Sequence, residues 1–362
     1  MSSYYLNSPL EIKNALQSIQ NDVSIQSLMV CVTDKSRSAV ASLIDDLNSL
    51  QLPFFGGIFP EIIFENKRQQ EGVLIITLDY EVDNYIVKLD DEAEIGNQIE
   101  HICDTIQPNA NTTWVYVDCF SSNKTVFIES LYQNLGYTFT YVGGGAGSLS
   151  FEQIPSVFNN SGIYKNAAIL AFATTNLSLG VAHGWSPISE KLKVTKAKGN
   201  NIISIDWKPA VDVYTAIVEQ HSNSKFEEQG FFELAKSYPL GMVKVGGDII
   251  VRDPIMIQDD ELVIVDKVNE GEFVQILNGD MNSLLSGAKN AKLLAHGTSN
   301  NKNVFCIDCI SRVLYMNDDF QDEIDIIKGN QTLNGVLTIG EIANNSQTFL
   351  EIFNKTTVVI TW

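Results

Sequence analysis

Basic residues are scarce in this chain. Lys and Arg total 24 against 44 Asp and Glu, a net charge of -20 over 362 residues. That balance repels phosphate backbones and anionic lipid, so neither nucleic acid nor a membrane surface is an expected partner. The acidity reads as a solvated surface: the clusters Asp90-Asp91-Glu92, Asp259-Asp260-Glu261 and Asp318-Asp319 lack the Asp-x-Asp-x-Asp-Gly spacing of a calcium loop. Cysteine is sparse and odd in number, five in all, which describes no disulfide framework. Cys306-x-x-Cys309 has no second pair to complete a zinc site and lies in a strand-like run, so these thiols are expected to be reduced and buried. Four scattered histidines give no His-x-x-x-His spacing. Long apolar runs are missing too; Ala167 to Ala173 falls far short of the ~20 residues of a spanning helix. With no basic stretch leading into an apolar segment at the start, the cytoplasm is the expected compartment.

What is present is enough for large cores. Hydrophobic residues make up 44% and charged residues 19%, and a chain of this length divides into domains, because single cores stop growing near ~250–300 residues. Ser8-Pro9-Leu10-Glu11 combines a helix cap, proline at the first helical position and a capping-box glutamate, and Ile12, Ala15, Leu16 and Ile19 then follow at helical spacing. Strand and helix alternate through the first half, with helices carrying Val40, Leu43, Ile44 and Leu47, then Ile95, Ile99 and Ile102, then Phe127, Leu131 and Leu135. His101 falls beside the apolar stripe of its helix and is expected to be exposed. From Ala167 onward short strands follow one another through turns: 167–173, 177–185 and 192–207, later 242–245, 248–257, 262–267 and 273–277, and near the end 304–315, 335–342 and 349–361. The fold class is therefore α+β (mixed α/β), in two domains with antiparallel-rich mixed sheets flanked by helices. The expected division is an N-terminal helical extension over 1–25, a first domain over 26–220 and a second over 221–362, with the junction near 220–238. No internal repeat is evident in the sequence.

An ordered series of short motifs carries more. Tyr141-Val142-Gly143-Gly144-Gly145-Ala146-Gly147-Ser148 is followed by His183-Gly184-Trp185 and Val194-Thr195-Lys196-Ala197-Lys198-Gly199-Asn200. Then come Pro239-Leu240-Gly241, Val251-Arg252-Asp253-Pro254, Glu270-Gly271, Gly279-Asp280, Cys309-Ile310-Ser311-Arg312, Gly340-Glu341-Ile342 and Phe353-Asn354-Lys355-Thr356. In their serial order they resemble the FIST family, sensory domains of bacterial signalling proteins and of some eukaryotic F-box proteins.

The chemistry of the motifs leaves alternatives open. Gly143, Gly144, Gly145 and Gly147 with Ser148 match neither a phosphate loop nor a dinucleotide fingerprint nor a Gly-x-Ser-x-Gly elbow, so a tight strand connection and a ligand-facing loop stand side by side. In a strand His183 and Trp185 share a face. A neutral imidazole there could ligate haem iron or a metal, or contact an anionic ligand, though a hydrogen-bonded structural histidine is the commoner case; His221 and His296 sit in polar surroundings. Arg252 and Arg312 each interrupt an apolar strand and demand a carboxylate, which a ligand or the protein could supply. For Arg312 the expected partner is Glu341, with Asn354 offering an amide to the same region.

The resemblance implies a small-ligand sensor that stands alone and relays its signal to a separate histidine kinase or cyclic-nucleotide enzyme. An amino acid or related molecule is the implied ligand. Because pockets favour domain junctions, a small ligand is expected between the two halves, contacted by the glycine tract, Trp185 and Arg252. The resemblance also implies an alternative, a haem-binding nitric-oxide sensor with His183 as the iron ligand. Two further readings are a small-molecule enzyme using Cys309, Arg312 and Glu341, for which no nucleophile–base pair is seen, and a ligand-free adaptor.

Overall fold

In the computed structural model, residues 2–244, 249–296, 303–344 and 350–362 are described, with the side chain of His296 excepted. The fold is α+β, built from four mixed or antiparallel sheets flanked by helices. Parts of the strands expected over 242–245, 248–257 and 349–361 lie outside the described residues.

Three of the sheets have six strands each and one common plan. The first runs Ser3–Leu6, Val73–Leu78, Ser27–Thr33, Phe54–Phe59, Val157–Asn159, Gly162–Tyr164 across its width. The second runs Asp83–Lys88, Ala167–Ala173, Thr112–Asp118, Thr140–Ala146, Glu341–Ala343, Glu351–Phe353. The third runs Ser178–Ala182, Thr357–Thr361, Val304–Cys309, Leu333–Thr338, Glu61–Phe64, Lys67–Gln69. In each, the third and fourth strands are parallel and joined through helix, and the other pairings are antiparallel. Each sheet ends on a hairpin donated by a neighbour: the second unit's hairpin completes the first sheet, the third's completes the second, and the first's completes the third.

The chain is thus a cyclic threefold repeat of strand–helix–strand–helix–strand–hairpin–strand. The repeat lies in the structure and is scarcely visible in the sequence. A trace survives in sequence, since Asp118-Cys119-Phe120-Ser121 and Asp308-Cys309-Ile310-Ser311 stand at the same turn of two units. Because helices cover the outer faces and the sheets face one another inside, Ser27–Thr33, Thr112–Asp118 and Val304–Cys309 are buried at every position. The shared inner core joins all three sheets through Phe55, Trp114 and Phe305, with Trp114 edge-on to Phe305 at 6.1 Å.

Two segments break the pattern. The second unit lengthens the link between Thr140–Ala146 and its hairpin into the loop 147–156. The third unit carries, between Ser178–Ala182 and the helix Met281–His296, an inserted nine-stranded antiparallel sheet with its own helix Ala210–Ser222 and its own core. The span 220–238 falls within this insertion.

Local signals explain the element ends. Ser8 caps Pro9–Gln20 by accepting from Glu11 N at 3.3 Å, and the Glu11 carboxylate accepts from Asn7 N at 2.7 Å. Gly136 ends Lys124–Leu135 at φ +68°, with ψ of −160° rather than in the left-handed helical well. His101 is exposed, as its helix face requires. Among the described residues no helix is long and apolar enough to cross a membrane.

Candidate functional site

A cavity of about 320 Å³ opens where the parallel strands of the second and third units end and the inserted sheet meets them. The second unit contributes Cys119, Phe120 and Lys124 from one turn and Leu149 and Phe151 from the long loop. The third contributes Cys309, Ile310, Ser311, Leu314 and Tyr315 from the matching turn, and Ile339, Gly340, Ile352, Asn354 and Lys355 from its hairpin. The inserted sheet and its helices add Phe232, Lys236, Asp253, Pro254, Ile255, Val265 and Asp266. Strand ends place the turns here, and each unit carries an aspartate at or next to the end of its central strand: Asp118 Oδ1 accepts from Phe120 N at 3.0 Å, and Asp308 Oδ1 from Cys309 N at 2.8 Å.

The wall is mostly apolar but carries two ion pairs. Lys124 Nζ lies 2.9 Å from Asp266 Oδ1, and Lys355 Nζ lies 3.0 Å from Asp253 Oδ1. Burial alone would raise the pKa of Asp266, yet Lys124 and Arg252 outweigh it and hold the carboxyl below its ordinary range. Lys355 also donates to Lys236 O at 3.1 Å and sits 5.2 Å from the Trp185 ring centroid, a cation–π contact. Lys236, by contrast, pairs with Glu233, an exposed residue outside the cavity. Asn354 is buried; its Nδ2 donates to Phe353 O at 3.0 Å, and its Oδ1 has no hydrogen-bond partner among the described residues.

Of the residues singled out by sequence, Cys309 and Asn354 line this cavity and the others do not. Gly143, Gly144 and Gly145 lie in the strand Thr140–Ala146. A Cβ at Gly143 would fall 1.8 Å from Val115 O and one at Gly145 2.1 Å from Ile339 O, so the tract lets neighbouring backbone approach closely on both sides. Gly147 abuts Cys119 Sγ, and Ser148 donates to Asp34 Oδ2 at 2.5 Å. Arg252 donates to Ile352 O at 2.8 Å and stands 3.8 Å from Asp266.

Three expectations need correction. Arg312 is in the helix Ile310–Met316, not a strand, and its carboxylates are Glu323, at 2.7 and 3.0 Å, and Asp308, at 3.3 Å, rather than Glu341. Its remaining donors reach His183 O at 2.7 Å, Leu284 O at 3.1 Å and Lys355 O at 3.3 Å. No donor is left for a ligand; the guanidinium pins both stems of the inserted sheet. Glu341 accepts instead from Thr338 Oγ1 at 3.0 Å and Thr356 N at 3.3 Å, and burial pushes its pKa up to about 8.

His183 and Trp185 also leave the strand, which ends at Ala182. Gly184 turns the chain at φ +86° against Ser283 O. His183 Nδ1 accepts from Trp185 N at 2.9 Å, its ring is also hydrogen-bonded to the Ile249 backbone, and burial, then Arg312, lowers its pKa to about 4. Both sides of the imidazole are used and it does not line the junction cavity, so His183 does not fit an axial haem ligand. Among the described residues no cluster of three or more His, Cys, Asp or Glu could hold a metal. Cys309 Sγ rests 2.9 Å from Ser311 Oγ, and burial pushes the thiol up, the opposite of an activated nucleophile.

A FIST N domain model matches residues 26–208 and a FIST C domain model residues 210–344. The chain belongs to the FIST family. FIST domains are sensory modules of signal transduction that bind small ligands. A similar sequence is an uncharacterised protein of Methanocaldococcus jannaschii, 22% identical over 284 residues, which cover 72% of this chain and 55% of that protein. The chain therefore spans about half the length of this curated relative.

The cavity residues that sequence reasoning missed include the charged Lys124, Lys236, Asp253, Asp266 and Lys355, together with Ser311, Phe151 and Phe232. The repeated Asp-Cys-x-Ser turn was the available signal for Cys119 and, five residues on, Lys124.

Proposed function

We propose that this FIST protein senses a small zwitterion, an amino acid or a related compound, bound in the junction cavity, and relays its presence to a separate signalling partner such as a histidine kinase or a cyclic-nucleotide enzyme. The observation that carries the reading is the pair of buried ion pairs, Lys124–Asp266 and Lys355–Asp253, set in an otherwise apolar wall. Pockets of this kind use a few fixed polar groups to orient a ligand. Asp253 engages Lys355 through Oδ1, so its second oxygen can take an ammonium group. Lys236, whose Glu233 contact is a solvent-exposed pair of little energetic worth, can turn to a carboxylate. Cys309, Ser311 and Asn354 complete the polar contacts.

Calorimetry with a panel of amino acids tests this. Saturable binding is expected in the wild type and should be lost in Ser311→Phe, which fills the cavity, provided the variant keeps a cooperative melt. Binding that survives Ser311→Phe would place the ligand elsewhere, and silence across the panel would remove the amino-acid reading.

A further inference from the structure

The two segments that depart from the threefold plan are the ones that build the mouth of the cavity. Insertions in a repeat architecture gather on one face, often the binding face. Here the long loop of the second unit supplies Leu149 and Phe151, the inserted sheet's helices supply Phe232, and Leu314 comes from the turn helix of the third unit. These residues are 39%, 69%, 53% and 45% exposed, an apolar rim contributed by separate parts of the chain around a cavity whose mostly apolar wall carries two ion pairs. Phe151 is held at φ +59°, a backbone region that bulky residues rarely occupy, with its ring 6.0 Å from that of Phe120. Strain of this kind persists where the position of a side chain matters more than its cost.

We infer that the rim is the side-group pocket of the ligand, and that the protein selects amino acids or related zwitterions with a large apolar side chain, with Phe151 and Phe232 as the specificity-determining residues. The inference rests on the reading of the cavity as the ligand site. The charged end of the ligand lies inward at Asp253 and Lys236, which leaves the side group pointing outward between the two insertions. A glycine- or alanine-sized ligand would leave the rim wet; a leucine- or phenylalanine-sized one covers it.

The test titrates the full chain with L-phenylalanine, L-leucine, L-alanine, glycine and L-aspartate. Phenylalanine and leucine should bind at least about tenfold more tightly than alanine, the scale of a missing methylene in an apolar pocket. Phe151→Ser and Phe232→Ser, both at exposed positions, should each narrow that ratio by weakening phenylalanine and leucine more than alanine. Equal or tighter binding of alanine, glycine or aspartate overturns the selectivity while the ligand site stands. So does an unchanged ratio in both variants. If none of the five probes binds the wild type, both the selectivity and the amino-acid reading fall.

Discussion

At the scale of residues, the buried titratable groups make opposite demands on pH. His183 has a folded pKa of about 4, below its ordinary 6.5, because it is buried and faces Arg312. The unfolded chain therefore binds a proton that the folded chain refuses between those values, and stability held above pH 6.5 is lost as pH falls toward 4. The expected contribution is on the order of 3 kcal/mol; urea melts of wild type and His183→Asn at pH 7 and pH 4.5 should show a smaller loss in the variant. Glu341 acts the other way. Its pKa is raised from 4.5 to about 8, so the stability it contributes is complete below 4.5 and drains away as pH rises through 8. Glu341→Gln should flatten the stability profile between pH 5 and 8, and a variant profile as steep as wild type would show that the carboxyl is not the proton acceptor.

Sequence made the importance of these residues legible but not their partners. A scarce arginine amid apolar neighbours announces a buried ion pair; which carboxylate answers it depends on how the helix Phe320–Lys328 packs, and Glu323, eleven positions along, carries no mark of its own. His183-Gly184-Trp185 read as strand because two apolar-compatible residues flank a glycine. The glycine was the turn itself, forced by the approach of Ser283.

At the scale of elements, two contacts govern the site. The strand Thr140–Ala146 must pass against Thr112–Asp118 without side chains, so Gly143→Ala should cost at least the upper end of the ~1–3 kcal/mol typical of overpacking, read from the denaturation midpoint. A cost within error of zero would mean that the sheet can yield there. Arg312→Met leaves Asp308 and Glu323 buried without their counter-charge, and should cost about 3–5 kcal/mol. Since Arg312 also holds His183 and Leu284, native-state hydrogen exchange should speed up first in the inserted sheet; uniform acceleration would contradict its role as the pin of that root.

Helices and strands were largely readable at this scale, because amphipathic spacing and fully apolar runs report burial directly. Their assembly was not. Hairpins that leave their own unit to finish another unit's sheet have the same local pattern as hairpins that stay at home, and the resemblance between units is slight: a four-residue turn shared by two of them and one glycine, Gly57, Gly144 and Gly335, at the same register in all three.

At the scale of the whole molecule, a ligand bridging the second and third units and the insertion stabilises all of them together. At a concentration 100 times its dissociation constant it should add about 2.7 kcal/mol, visible as a rise in the melting temperature. A bound ligand that leaves the melt unmoved would have equal affinity for the unfolded chain, which a cavity made from three regions cannot have.

The exchanged hairpins have a kinetic meaning as well. Thr357–Thr361 lies between Ser178–Ala182 and Val304–Cys309, while the hairpin of Glu61–Phe64 and Lys67–Gln69 must wait for Leu333–Thr338 before it has a neighbour. No unit can close its sheet as it leaves the ribosome. Such long-range pairing makes folding slow and leaves strand edges unmatched during synthesis: the hairpin of the first unit holds out an edge until Leu333–Thr338 has been made.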